Sequence, residues 1–167
     1  MILAIVSDSH GHADRLERAI NDAINLGART IVHCGDVGSA QCIRLLGDAP
    51  IPAYLVAGNM DRFHWHLGDD AHHSAVNYSP KTAEVPIDDG QYLVATHGHD
   101  ERLLDTLIAG GQFPYVAHGH THTQRNERIG NVRVINPGAL HHPRGHHGYS
   151  FAMLDTETDK VTFVDVT

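Results

Sequence analysis

The first sixty residues limit the fold most, because bare apolar runs alternate there with amphipathic stretches. Ile2 to Val6, Thr30 to His33 and Ala53 to Ala57 are short and uninterrupted, as strands covered on both faces are. Between them lie two stretches of helical periodicity. Asp14 to Asn25 carries a stripe of Leu16, Ile20, Ala23 and Ile24, with Asp14 as a cap and Gly27 as a stop. Ala40 to Leu46 follows Ser39, a second cap, and Pro50 and Pro52 keep the next connection extended. Three strands joined by two helices imply parallel order and right-handed crossovers. In open sheets of this kind the site lies at the carboxyl ends of the strands.

The remainder is richer in strands. Arg62 to Asn77, which includes Trp65 as a packing residue, has no clean period and predicts a helix or an irregular surface segment at the rim of the site. Thr82 to Ile87 and Gln91 to Thr96 flank Asp88-Asp89-Gly90, a hairpin signal. Arg102 to Ala109 has helical periodicity and is stopped by Gly110-Gly111. Pro114 to Ala117 and Asn131 to Ile135 read as strands, and Tyr149 to Leu154 pairs with Val161 to Val166 around a turn. An α/β first part and a β-rich second part imply an α/β fold of two packed sheets with helices outside, in one domain over residues 1–167.

Composition narrows the function. The formal net charge is −8 with a pI of about 6.0, so no basic patch invites a long nucleic acid, although a small phosphate ester fits. Cys34 and Cys42 form no CxxC pair, and no basic leader or membrane-length apolar run is present, which together predict a cytoplasmic protein. The outlier is histidine, with sixteen residues. Several lie at strand exits, among other donors: Asp8 and His10, Asp36, Asn59, His97, and His118 with His120. Seven oxygen and nitrogen donors exceed one tetrahedral centre and suit two divalent ions sharing a carboxylate. Such ions stand about 3.5–4 Å apart and clamp a phosphoryl group. The mixed donor set favours manganese, nickel, cobalt, iron or zinc over magnesium, with manganese the first choice. Gly35, Gly58, Gly98 and Gly119 beside these donors suit tight turns near the ions.

The ordered set Asp8-Ser9-His10, Gly35-Asp36, Gly58-Asn59-Met60-Asp61, His97-Gly98-His99 and Gly119-His120-Thr121-His122 resembles the calcineurin-like metallophosphoesterases. More narrowly it resembles their small bacterial and archaeal phosphodiesterase branch, whose fold a retromer scaffold subunit shares, and Asn136-Pro137-Gly138 fits as well. The resemblance implies a four-layer α/β/β/α sandwich. It selects His120 and His122 as ligands and leaves His118 as a neighbour. By resemblance Asp8, His10 and His122 hold one ion, Asn59, His97 and His120 hold the other, Asp36 bridges them, and a water between the ions is the nucleophile. The resemblance therefore implies a phosphodiesterase acting on small phosphate esters. Alternatives are a phosphomonoesterase, a nuclease or a non-catalytic scaffold, and small members of such families often self-associate.

Many family members carry histidine directly after the motif asparagine, where this chain has Met60. A thioether donates no proton, so His12, Asp61 or His99 becomes the expected donor, with Asp61 and His99 carried forward as catalytic candidates beside Asp36 and Asn59. His33, inside a strand, is expected to be a hydrogen-bonded neighbour. His118 and His99 are candidates for phosphate contact or ligand support, and Arg144 in the His141 to His147 segment for phosphate contact.

Overall fold

Every residue of β1 (Ile2–Val6) after Ile2 is buried, and its alternation sorts the protein into layers. Ala4 and Val6 face helices, whereas Leu3 and Ile5 face a second sheet. The computed structural model describes residues 1–63 and 66–167; Trp65 lies outside the described residues. The further strands are β2 (Thr30–His33), β3 (Ala53–Val56), β4 (Asn77–Ser79), β5 (Thr82–Pro86), β6 (Tyr92–Thr96), β7 (Tyr115–Ala117), β8 (Gln124–Ile129), β9 (Val132–Pro137), β10 (Ser150–Asp155) and β11 (Lys160–Asp165). The helices are α1 (Ala13–Asn25), α2 (Ala40–Gly47), α3 (Leu67–His73) and α4 (Glu101–Gly110).

One sheet has the order β11-β10-β1-β2-β3-β4 and the other β5-β6-β7-β9-β8. The strands from β1 through β4 are parallel, as are β6, β7 and β9. Leu3, Ile5 and Val32 meet Leu93, Ala95, Ala117 and Ile135 between the sheets. Leu16 and Ile20 of α1, Ile43 and Leu46 of α2 and Ala71 of α3 cover the first sheet. Leu104 of α4 covers Val94, Val116 and Val134 on the second. This is the α/β/β/α arrangement expected from the sequence.

Local chemistry explains the element ends, with one correction. Asp14 is not a cap: α1 begins at Ala13, and Asp14 lies in the first turn, where its charge complements the helix dipole. Ser39 does cap α2, accepting the Cys42 N–H at 3.2 Å. Gly111 ends α4 at φ +62°. Two strands lacked a sequence signal. β4 has only three residues, and β8 is an almost wholly polar edge strand. The Arg62 to Asn77 segment contains α3, preceded by a 3₁₀ turn over Asp61–Phe63.

Leu93 is fully buried between the sheets. Replacing it with alanine removes several methyl and methylene groups and leaves a cavity. Leu93→Ala should cost about 2–5 kcal/mol in urea unfolding. A loss below about 1 kcal/mol would show that the two sheets are not held by this interior.

Candidate metal centre

The parallel strands deliver their carboxyl ends to one edge, and the chain there adopts conformations that side chains rarely favour. Asp8, His10, Asp36, His120 and His122 have φ of +55°, +44°, +54°, +67° and +59°. Left-handed backbone at non-glycine residues typically costs about 1–3 kcal/mol each and clusters at functional sites. Close packing surrounds these turns. A Cβ on Gly58 would stand 2.0 Å from Asp36 Oδ1, and one on Gly119 would stand 1.8 Å from Ser7 Oγ. Glycine at both positions lets backbone lie directly against the acidic residues.

The turns bring the side chains together. Ligand-capable atoms of Asp8, His10 and His122 all lie within 4.8 Å of one another, as do those of Asp8, Asp36 and His97. His122 Nε2 is 3.2 Å from Asp8 Oδ1, and His97 Nε2 is 3.4 Å from Asp36 Oδ2. Asn59 Oδ1 is 3.0 Å from His97 Nε2, and the His120 ring lies 5.2 Å from the His97 ring. The His97 and His122 rings are aimed by their far nitrogens. Nδ1 of His97 donates to the Cys34 carbonyl at 2.7 Å, and Nδ1 of His122 donates to the His142 carbonyl at 2.9 Å. That leaves each Nε2 facing the carboxylates, where it donates while protonated and would offer its lone pair to a metal once the proton is lost, the orientation common in metal-binding histidines.

The donor set fits a metal on its own evidence. Asp8 Oδ1 and His10 Nε2 are buried without a hydrogen-bond partner and stand 3.8 Å apart. Buried polar atoms are rarely left unpaired, and a cation between these two would satisfy both. Among the described residues, no cysteine belongs to either cluster.

A family model for the calcineurin-like phosphoesterase superfamily domain matches residues 1–159. The chain belongs to that superfamily. It is 31% identical over 141 residues to the phosphodiesterase MJ0936 of Methanocaldococcus jannaschii, covering 83% of each chain. It is 28% identical over 166 residues to the phosphodiesterase YfcE of Escherichia coli, covering 94% of this chain and 89% of the relative. The solved structure of an archaeal phosphodiesterase superposes with a TM-score of 0.85 at 28% identity, covering 98% of this chain and 99% of that one. Together with the two clusters that share Asp8, this makes the chain a metal-dependent phosphoesterase.

The other candidates occupy distinct places in this phosphoesterase. His99 is exposed, with its ring 5.4 Å from that of His97. Asp61 is buried and commits both carboxylate oxygens to three backbone N–H groups, those of Val37, Gly38 and Gly58. His118 is still hydrogen-bonded in strand fashion, its N–H donating to Ile135. Burial pushes its pKa down to about 4. His33 is buried, and its ring lies 2.9 Å from Ser9 Oγ and accepts the Gly35 N–H. Arg144 reaches the site through its backbone, donating its N–H to the His122 carbonyl. Sequence spacing gave no role to Asn136, which braces the turn over residues 119–121. It donates to the Gly119 carbonyl at 2.8 Å and to Thr121 Oγ1 at 3.0 Å, and accepts the Gly138 N–H. Its position in Asn136-Pro137-Gly138 was the available signal.

Charge among the side chains of the cluster is balanced internally. Burial alone would raise Asp8 and Asp36, but His122 and His97 beside Asp8, and His97 with the Met60 N–H beside Asp36, hold both below the usual carboxylate value. Burial opposes charge on His97, yet Asp36 and Asp8 raise its pKa, and contact with Asp8 raises that of His122. The imidazolium contribution to stability is therefore full below the unperturbed 6.5 and is lost as pH rises through the raised values. The carboxylate contribution is full above 3.8 and is lost as pH falls through the lowered values. Metal must displace the imidazole protons. The gain in Tm on adding manganese should grow between about pH 5.5 and pH 8, read by scanning fluorimetry at fixed ionic strength. A constant gain would exclude protonated imidazoles as competitors of the metal. Asn136→Ala should weaken manganese binding about 10–100-fold by calorimetry, with the circular-dichroism spectrum unchanged. Unchanged affinity would remove Asn136 from the support of the ligand turn.

Proposed function

We propose that this phosphoesterase hydrolyses small phosphodiesters at a dinuclear centre. The observation that carries the reading is the place of one atom: Asp36 Oδ2 lies 3.7 Å from His10 Nε2 and 3.4 Å from His97 Nε2. A single carboxylate oxygen thus faces both halves of the site. That supports Asp36 as the bridge, Asp8, His10 and His122 on one side, and Asn59, His97 and His120 on the other. Two divalent ions bound there supply Lewis acidity and an activated water. Manganese is the first choice, with nickel, cobalt, iron and zinc as alternatives. The M. jannaschii and E. coli relatives are named phosphodiesterases, which favours diesters over monoesters.

The chain's own groups divide the remaining work. The Met60 N–H holds Asp36 Oδ1 at 2.8 Å, and the His120 N–H holds Asp8 Oδ2 at 3.0 Å, fixing both carboxylates. Asp61, fully engaged with backbone, positions the turns that carry Asp36 and Asn59. His99 stands at the open side, where it can reach a leaving oxygen. Burial and the neighbouring His97 lower its pKa, so its proton-donating form belongs to acidic pH. The Met60 side chain is exposed and supplies no proton. This combination suits esters with good leaving groups. Among the described residues, no helix is long and apolar enough to cross a membrane. We read residues 1–167 as one cytoplasmic domain acting on small esters rather than long nucleic acid, and as able to self-associate.

Metal-stripped protein given manganese should hydrolyse bis(p-nitrophenyl) phosphate faster than p-nitrophenyl phosphate. Asp36→Asn should lower that rate by about 10²-fold or more, as loss of a shared ligand requires. Preference for the monoester would convert the reading to a phosphomonoesterase. No turnover with manganese, nickel, cobalt or zinc would leave the fold as a binding scaffold.

A further inference from the structure

A cavity of about 420 Å³ opens beside Asn59 and His99, outside the ligand clusters but sharing a wall with them. That volume falls within the range of small-molecule sites, roughly 300–1,000 Å³. Its walls are of two kinds. Leu67, Tyr78 and Leu103 give it an apolar body. Its charged lining is unevenly committed. Asp61 is saturated by backbone N–H groups, and Asp100 caps α4 by accepting the Leu103 N–H at 3.1 Å. Two cations, Arg62 and Lys81, line the cavity, and Lys81 is exposed with no carboxylate partner among the described residues. In a chain of net charge −8, an unpaired cation beside a phosphate-handling centre is a specific feature.

Topology explains why Lys81 is there. Pro80-Lys81 is the link by which the chain passes from β4 in one sheet to β5 in the other. Thr82 pairs with Thr96, so the next step outward sets Lys81 level with His97 at the edge of the sheet. The ammonium is thereby offered to the cavity from the same edge that carries the metal ligands, at the end of a flexible stem.

We propose that this cavity receives one ester substituent of the substrate and that Lys81 selects substituents ending in an anion, a carboxylate or a phosphate. The inference rests on the phosphoesterase reading of the adjoining centre. The substrate class it defines is a phosphate ester whose organic group is partly apolar, several carbons long and negatively charged at its far end. The phosphoryl group then lies at the metal ligands, the carbon chain passes Tyr78 and Leu103, and the terminal anion meets Lys81.

Calorimetry on the manganese-loaded protein tests this with four probes: inorganic phosphate, butyl phosphate, 3-carboxypropyl phosphate and butane-1,4-diyl bisphosphate. One or both of the probes with a terminal anion should bind about fivefold more tightly than butyl phosphate, the scale of one exposed charge pair. The tighter of the two identifies the terminal group. Lys81→Gln should abolish the preference, Lys81→Arg should keep it, and inorganic phosphate should bind all three proteins alike. Equal binding of the three organic phosphates, or a preference that survives Lys81→Gln, would overturn the subsite while leaving the phosphoesterase centre intact. Failure of inorganic phosphate itself to bind would overturn both.

Discussion

The structure depends on two buried carboxylates, Asp8 and Asp36, held at the exits of adjacent strands. A buried charge is costly unless it is paired and hydrogen-bonded. Each of these carboxylates receives a backbone N–H, from His120 and Met60 respectively, and each faces imidazole. The backbone donor and the nearest imidazole of Asp8 come from the second sheet, and those of Asp36 from both. Charge balance at the edge therefore requires the two sheets to pack in one register. The inter-sheet interior and the site are solutions to one problem: Leu3, Ile5, Leu93 and Ala117 set the spacing that lets the carboxylates find their partners.

The same requirement accounts for the strained turns. A strand that simply continued would keep Asp8 and His10 on one face but spread along an extended course. Left-handed steps at Asp8, His10, Asp36, His120 and His122 curl the chain back so that the side chains converge. The supporting contacts are correspondingly dense. Asp61 ties the turns after β2 and β3 together through three N–H groups, and Asn136 holds the 119–121 turn from behind. His33 bridges the exits of β1 and β2 through Ser9 and Gly35. Neutral at physiological pH, with burial lowering its pKa to about 4, it can do so without adding charge.

How much of this is legible in the sequence depends on the kind of signal. Bare apolar runs mark β1, β2 and β3 because strands covered on both faces have no polar side to show. The edge strand β8 is illegible for the opposite reason: Gln124, Arg125, Asn126, Glu127 and Arg128 face solvent and carry no hydrophobic alternation. β4 is too short for any period. At the histidine cluster, spacing alone could not separate His118 with His120 from His120 with His122. The structure shows why. Ala117 faces the inter-sheet interior and Val116 faces α4, so His118 continues the α4-side alternation, and the turn begins only at Gly119. Which histidines turn toward Asp8 and His97 is set by where the strand stops, and a strand end is a hydrogen-bond event that residue types do not display.

Met60 shows how a site can keep its metal machinery while its proton chemistry changes. The centre uses that residue only through its N–H, which fixes Asp36 Oδ1. Any residue except proline supplies that donor. The side chain is exposed at 48%, so the hold on Asp36 does not constrain its identity. Selection among esters then falls to groups that touch the substituents rather than the phosphorus: His99 at the open side, and the cavity bounded by Tyr78, Leu103 and Lys81. These come from β4, from the link between the two sheets, and from the turn into α4 and its first residues, none of which carries Asp8 or Asp36. Substrate range can therefore drift by changes in this wall without disturbing the charge balance on which the fold depends.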